Sequence, residues 1–148
     1  MSKIVLIAPS GSVDAALTRL RLPSWPDTVG VISWVCADSA ADGVDARAVG
    51  SPGSSLSARL SRLLSGNPLG RNVLRLSPLD GGRRLYRAVR RDSTAREMLR
   101  AADVVVVLER DGILTGWHAA RRWTGSGTRV VYGLAPAESL LRSERAGA

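Results

Sequence analysis

Short apolar runs alternate with amphipathic stretches along the chain. The runs at 3–8 (K-I-V-L-I-A) and 103–108 (D-V-V-V-V-L) are almost uniformly apolar, which is typical of strands buried on both faces of a sheet. β-Branched and aromatic residues recur through 29–37, which predicts a second strand, and further short strands are predicted at 45–49 and 129–132. The pattern therefore predicts about five strands.

Apolar residues at helical spacing predict helices between these strands. The predicted helices lie at 13–20, 55–65, 83–91, 93–99, 113–124 and 135–141. Asp92 or Ser93 can cap the fourth of them, so 83–99 is either one bent helix or two short ones. The passage 66–80 mixes Gly and Pro with apolar residues and yields no assignment.

Strands that alternate with helices in this order predict the α/β class. We expect a three-layer, Rossmann-like domain with a mostly parallel sheet of about five strands and helices on both faces. The 148 residues are enough for one sizeable core, so 1–148 is expected to form a single domain. The longest apolar runs fall far below the roughly 20 residues of a bilayer span. The single cysteine, Cys36, allows no intrachain disulfide, and a cytoplasmic protein is expected, with peripheral membrane association as an alternative.

Positive charge is concentrated in one segment. The formal net charge is +8, and 20 of the 21 basic residues are Arg, yet 71–100 alone holds nine Arg against three acidic residues. Within it, 83–91 surrounds a short apolar stripe and Tyr86 with five arginines. These are Arg83, Arg84, Arg87, Arg90 and Arg91.

Two interpretations of this arginine-rich helix stay open. It is either a solvated face that serves solubility or a surface that docks on an anionic partner. As partner, a membrane surface ranks above nucleic acid, because the chain has only six aromatic residues on which bases can stack.

The carboxyl ends of the strands carry the candidate ligand-binding residues, since ligands of open α/β sheets bind at that edge. Ser10, Gly11 and Ser12 follow the first strand and offer N–H groups and hydroxyls to an anion, although a plain capped turn explains them as well. Glu109 and Asp111 follow the central strand. Asp111 is expected to cap the next helix, which leaves Glu109 as the better functional candidate.

Other polar residues carry weaker signals. Asp38 follows the second strand, where Rossmann domains place a ribose-binding acid, but no glycine fingerprint accompanies it. His118 is the only histidine and is expected to be structural. One Cys and one His make no ligand cluster, so neither a metal nor a cofactor is expected.

The stretch 102–133 reads A-D-V-V-V-V-L-E-R-D-G-I-L-T-G-W-H-A-A-R-R-W-T-G-S-G-T-R-V-V-Y-G. It resembles the N-terminal, acceptor-side domain of GT-B glycosyltransferases of the retaining, actinobacterial, family-4-like type. The resemblance implies a Rossmann-like half whose first loop and central strand ends face an interdomain cleft. It covers about thirty residues, and the start K-I-V-L-I-A-P-S agrees loosely with it.

Two departures limit what the resemblance implies. The family often has histidine near the end of the central strand, where this chain has Val106 and Leu108. A donor-binding domain with its paired glutamates is also not recognisable. We therefore expect a protein that binds an anionic ligand or glycosyl acceptor and needs a separate donor-binding partner for sugar transfer. The alternative is a non-enzymatic module that docks through the arginine-rich helix.

Overall fold

Five parallel strands form the centre of the computed structural model, which describes residues 3–20, 28–34, 44–50 and 80–146. The strands are β1 (Lys3–Ile7), β2 (Thr28–Ser33), β3 (Val44–Ala48), β4 (Val104–Val107) and β5 (Arg129–Tyr132). Their order across the sheet is β3-β2-β1-β4-β5, and every neighbouring pair is parallel. The predicted α/β, Rossmann-like class is confirmed.

Five α-helices accompany the strands in the described ranges. They are α1 (Asp14–Leu20), α2 (Gly81–Arg91), α3 (Ser93–Arg100), α4 (Ile113–His118) and α5 (Leu134–Ala146). A 3-10 turn at Arg110–Gly112 precedes α4, and a π-helix at Ala119–Trp123 continues it. The predicted helix at 55–65 and the unassigned passage 66–79 lie outside the described residues.

The helices cover both faces of the sheet because alternate strand residues point to opposite sides. Val5 and Ile7 of β1 pack in one core with residues of α2, α3 and the π-helix. Ile4 and Leu6 pack in the other core with residues of α1 and α5. Right-handed crossovers explain this division, since the chain runs from β1 toward one edge of the sheet and later from β4 toward the other.

Asp92 separates α2 from α3, so the two-helix interpretation is correct. Its carboxylate accepts a hydrogen bond from the Ala95 N–H at 2.9 Å and forms an ion pair with Arg47 at 2.9 Å. Burial tends to raise the pKa of Asp92, but these two partners outweigh it, and the pKa lies below its usual value. The carboxylate therefore caps α3 and ties it to β3.

The helix after β4 is present as predicted. Small residues form most of its buried face, and two of its large side chains point outward. Ile113 and Trp117 are about half exposed, whereas Thr115, Gly116 and Ala119 are buried. A Cβ on Gly116 would lie 2.4 Å from Cγ2 of Val107. The absence of a side chain at Gly116 thus lets the helix approach the central strand closely.

Replacing Gly116 by Ala tests this close approach. We expect Gly116→Ala to lower the free energy of unfolding by about 1–2 kcal/mol in urea denaturation, because the overpacking cost exceeds the helix-propensity gain of about 1 kcal/mol. Gly127→Ala is the control, since nothing lies within 4 Å of its added Cβ, and it should change stability by less than about 0.5 kcal/mol. Equal or greater stability of Gly116→Ala would contradict this packing.

Candidate functional site

The strand order places the topological switch point of the sheet between β1 and β4. The chain leaves β1 toward β2 and β3 and later leaves β4 toward β5, so the loops after β1 and β4 diverge at this point. Such a topological switch point is where open α/β sheets bind ligands. Ser10, Gly11, Ser12, Glu109 and Asp111 all lie on these two loops, and the fold brings them to one edge as the sequence predicted.

Glu109 and Ser10 are joined directly across the switch point. The Ser10 N–H donates to the two carboxylate oxygens of Glu109 at 3.2 and 3.1 Å, and the Ser10 hydroxyl donates to Oε1. The Ser10 Oγ in turn accepts the Ser12 N–H at 3.2 Å, and the Gly11 N–H donates to the Ala8 carbonyl at 2.9 Å. The three N–H groups and the Ser10 hydroxyl predicted for an external anion are thus occupied within the protein, and Glu109 is the anion that the loop holds.

An open groove of about 500 Å³ lies beside this contact, on the face of the sheet covered by α2 and α4. Its walls come from the start of α2, the turn after β4 and the exposed side of α4. The lining residues are Asp80, Gly82, Arg110, Asp111, Ile113, Leu114 and Trp117. The groove combines an aromatic and aliphatic wall with two carboxylates and one guanidinium group.

Asp111 does not cap α4, contrary to the sequence expectation. It lies within the 3-10 turn, and Gly112 occupies the N-cap position of α4 without a side-chain hydrogen bond. The Asp111 carboxylate instead lies against α2, where a Cβ on Gly81 would meet Oδ2 at 2.2 Å. The pair Gly81-Gly82 thus leaves room for this carboxylate, and the turn after β4 packs on the start of α2.

Asp80, not Asp111, is a helix cap. Its Oδ2 accepts the Arg83 N–H at 3.2 Å at the start of α2. Asp111 is exposed as a residue, but desolvation of its carboxyl group beside α2 raises its pKa above the usual value, and the negative charges of Asp80 and Glu109 add to the effect, against the opposing Arg110. The groove therefore has an acidic wall in which one carboxyl group binds its proton more tightly than an ordinary aspartate.

His118 belongs to an aromatic stack between α2 and α4. Its ring lies parallel to Tyr86 at 4.1 Å between centroids and meets the Trp117 ring edge-on at 4.8 Å. Burial, together with Arg122 and Arg121, lowers the pKa of His118, and its Nδ1 is buried without a hydrogen-bond partner among the described residues. These contacts agree with the expected structural role.

The arginine-rich helix is α2, and its apolar stripe faces the core. Leu85 and Val89 have no exposed surface, and Tyr86 stacks on His118 and Trp123. Arg84 lies over the ring of Trp34 at 5.7 Å from its centroid. The stripe is therefore not available to a membrane, and docking through the five arginines stays a prediction that their charge alone would have to support.

Two absences apply to the described ranges only. Between residues 3 and 146, where the chain is described, no three His, Cys, Asp or Glu side chains come together as metal ligands. No helix in the same parts of the chain combines the length and apolar character that crossing a bilayer requires. Asp38, the predicted ribose-binding candidate, lies outside the described residues.

Comparison with known proteins adds no relative. The chain matches no protein-family model, no curated protein and no solved structure. The GT-B resemblance of 102–133 therefore remains a hypothesis that rests on those residues alone.

Sequence reasoning missed the groove. Trp117 was interpreted only as part of a helical pattern, and Asp80 lies at the end of a passage that gave no assignment. A cue was present in the Gly81-Gly82 pair directly after Asp80, which is unusual at the start of a helix. Only the packing of α2 on the turn after β4 shows that this pair accommodates Asp111.

The raised pKa of Asp111 predicts a stabilising substitution. The folded protein holds the proton of the Asp111 carboxyl group more tightly than the unfolded chain does. The free energy of unfolding of the wild type therefore falls as the pH rises from the usual aspartate pKa through the raised pKa of Asp111. Asp111→Asn removes that loss, so the variant should be more stable than the wild type at neutral pH, and the difference should shrink below about pH 4.

Urea denaturation across the acidic to neutral range measures this difference. Asp45→Asn is the control, because Asp45 is exposed on β3, and its effect should stay within about 0.5 kcal/mol. A destabilised Asp111→Asn variant at neutral pH would show that the carboxylate is held for structural reasons.

Proposed function

We propose that the protein is a Rossmann-like binding domain that takes a hydroxyl-rich ligand, such as the sugar of a glycosyl acceptor, in the groove beside Trp117. In this proposal it serves as the acceptor half of a GT-B-type glycosyltransferase and depends on a separate donor-binding partner for transfer. The observation that carries the proposal is the groove itself, whose lining includes the exposed Trp117 ring and two carboxylates near the carboxyl end of the central strand.

The chemistry of the groove favours hydroxyl groups over anions. Ionised carboxylates only accept hydrogen bonds, so Asp80 and Asp111 suit the O–H donors of a sugar and repel a phosphate. Among the described residues of the lining, Arg110 is the one cationic group, and the Arg121 guanidinium group lies over the lining residue Trp117. Glu109 already occupies the donors of Ser10, which argues further against an anionic ligand on the loop after β1.

Trp117 supplies a flat apolar surface for the ligand. Its side chain is 49% exposed, and the Arg121 guanidinium group lies over the ring at 4.4 Å from its centroid. The edge contact with His118 further fixes the orientation of the ring. A rigid aromatic ring loses little conformational entropy on binding, and the C–H face of a sugar ring can pack against it. The groove volume is within the roughly 300–1,000 Å³ range of ligand sites.

The acceptor role is supported by the chain resemblance and by topology together. The groove lies at the carboxyl end of β4, beside the switch point at which a Rossmann-like half binds its ligand. Its lining residues between Arg110 and Trp117 fall within the stretch that resembles GT-B acceptor domains, whereas Asp80 and Gly82 lie outside that stretch. No catalytic residue is assigned, because transfer in this proposal needs the partner.

Titration with free sugars, disaccharides and nucleotide-sugars tests the proposal. Trp117→Ala should weaken saccharide binding about tenfold, the loss expected for a central aromatic contact worth somewhat over 1 kcal/mol. Tyr132→Ala is the matched control, because Tyr132 is 54% exposed at the end of β5 and does not line the groove. Calorimetry or ligand-detected NMR gives the dissociation constants.

The possible outcomes separate clearly. Saturable saccharide binding that Trp117→Ala weakens and Tyr132→Ala leaves unchanged supports the proposal. Binding of nucleotide-sugars with no response to saccharides would assign the domain to donors instead. No saturable binding of any of these compounds, with or without a candidate donor-binding protein, would reject the glycosyltransferase role.

A further inference from the structure

The Asp111 carboxyl group lies in the wall of the groove without a partner inside the protein. Among the described residues, no N–H or O–H group donates a hydrogen bond to it, and Arg110 forms no ion pair with it. Asp92 shows the contrast, because its carboxylate has both the Ala95 N–H and the Arg47 guanidinium group as partners. A partly desolvated carboxylate without a donor is disfavoured, so a donor that a ligand supplies would be bound strongly at Asp111.

The charges around Asp111 favour a cationic donor over a neutral one. After desolvation, the charge of Asp80 contributes most to raising the pKa of Asp111, and Glu109 adds to it. The opposing effect of Arg110 is smaller than that of Asp80 alone. The electrostatic potential at the Asp111 carboxyl group is therefore negative, and it would stabilise a positive charge bound there.

Asp80 is close enough to Asp111 to share such a cation. Both residues line the groove, and Oδ2 of Asp80 and the carbonyl oxygen of Asp111 would each lie 3.2 Å from a Cβ on Gly82. The two aspartates therefore meet across the first turn of α2. A positive charge at this end of the groove would be attracted by both carboxylates.

An aromatic surface lies in the same groove as these carboxylates. Trp117 is 49% exposed even with the Arg121 guanidinium group over its ring, and Arg121 is not a lining residue. Ile113 and Leu114 extend the apolar wall. The C–H groups of a sugar ring can pack on such a surface, and an aromatic face also attracts an ammonium group. The groove thus suits a ligand that is both ring-shaped and cationic.

We propose that the ligand of this groove carries a protonated amino group beside its hydroxyl groups, as an amino sugar or an aminocyclitol does, and that this ammonium group binds the carboxylates of Asp111 and Asp80. The inference rests on the proposed saccharide function and names the class of saccharide. An ammonium group has three hydrogen-bond donors and no acceptor, which matches carboxylates that only accept. Hydrogen bonds between two charged groups are roughly twice as strong as neutral ones.

Three sugars that differ at one ring position test the proposal. Glucosamine carries the ammonium group, N-acetylglucosamine keeps the nitrogen without the charge, and glucose has a hydroxyl group there. Calorimetry or ligand-detected NMR at low salt, just below neutral pH, gives the three dissociation constants. We expect glucosamine to bind about tenfold more tightly than the other two sugars, which is the low end of the contribution of a hydrogen bond to a charged group.

Charge variants locate the amino group within the groove. Asp111→Asn should bring the ratio of glucosamine to glucose affinity close to one, and Asp80→Asn, which keeps a capping side chain for α2, should lower it. Arg110→Gln removes an opposing charge and should raise the ratio about twofold. The control is Asp45→Asn, which removes the same charge as Asp111→Asn from an exposed position on β3 and should leave the wild-type ratio.

Several results would overturn the inference. Equal affinities for the three sugars would exclude recognition of the amino group and leave the saccharide proposal standing. Tighter binding of glucuronate than of glucosamine, abolished by Arg110→Gln, would assign the groove to acidic sugars. A ratio that Asp45→Asn lowers as much as Asp111→Asn would make net charge responsible, not the groove. Binding of none of the four sugars is a different result, because it rejects the proposed function itself.

Discussion

The rest of the structure depends on the pairing of β1 with β4. These strands lie about a hundred residues apart in the chain and pair in register from Ile4 with Val104 to Ile7 with Val107. Their paired residues are buried on both faces of the sheet, so the pair belongs to both cores. A carboxylate fastens each end of the pair: Asp103 accepts the Lys3 N–H at 2.7 Å, and Glu109 accepts the Ser10 N–H.

This pairing also decides where the candidate site lies. It places the topological switch point in the middle of the sheet and brings the two diverging loops together there. Because Glu109 holds the loop after β1, the open space lies to one side, between the start of α2 and the outer side of α4. The acidic groove is a consequence of one packing arrangement, in which α2 and α4 lie against each other on the same face.

Glycine and a carboxylate shape the contact between the helices and the sheet. Gly116 lets α4 approach Val107, which turns the small residues of this helix inward and leaves Ile113 and Trp117 outward. Gly81 makes room for Asp111, whose charge is disfavoured in the folded protein by burial and by Asp80.

The sequence by itself determined the fold class and most of the element positions. Uniformly apolar runs predict strands buried on both faces, and periodic apolar residues separated by Gly and Pro predict the helices between them; the sheet and the helices on both faces are as expected. The sequence also placed Ser10 and Glu109 at one edge, because the carboxyl ends of parallel strands share an edge.

Tertiary structure decided what these residues contact. Glu109 bonds to Ser10, Asp111 lies against α2 where a cap was expected, and α2 buries the apolar stripe that one of the two open interpretations offered to a membrane surface. The physical reason is that periodicity identifies an apolar stripe but not the surface that covers it, and that contacts between residues a hundred positions apart leave no local pattern in the chain.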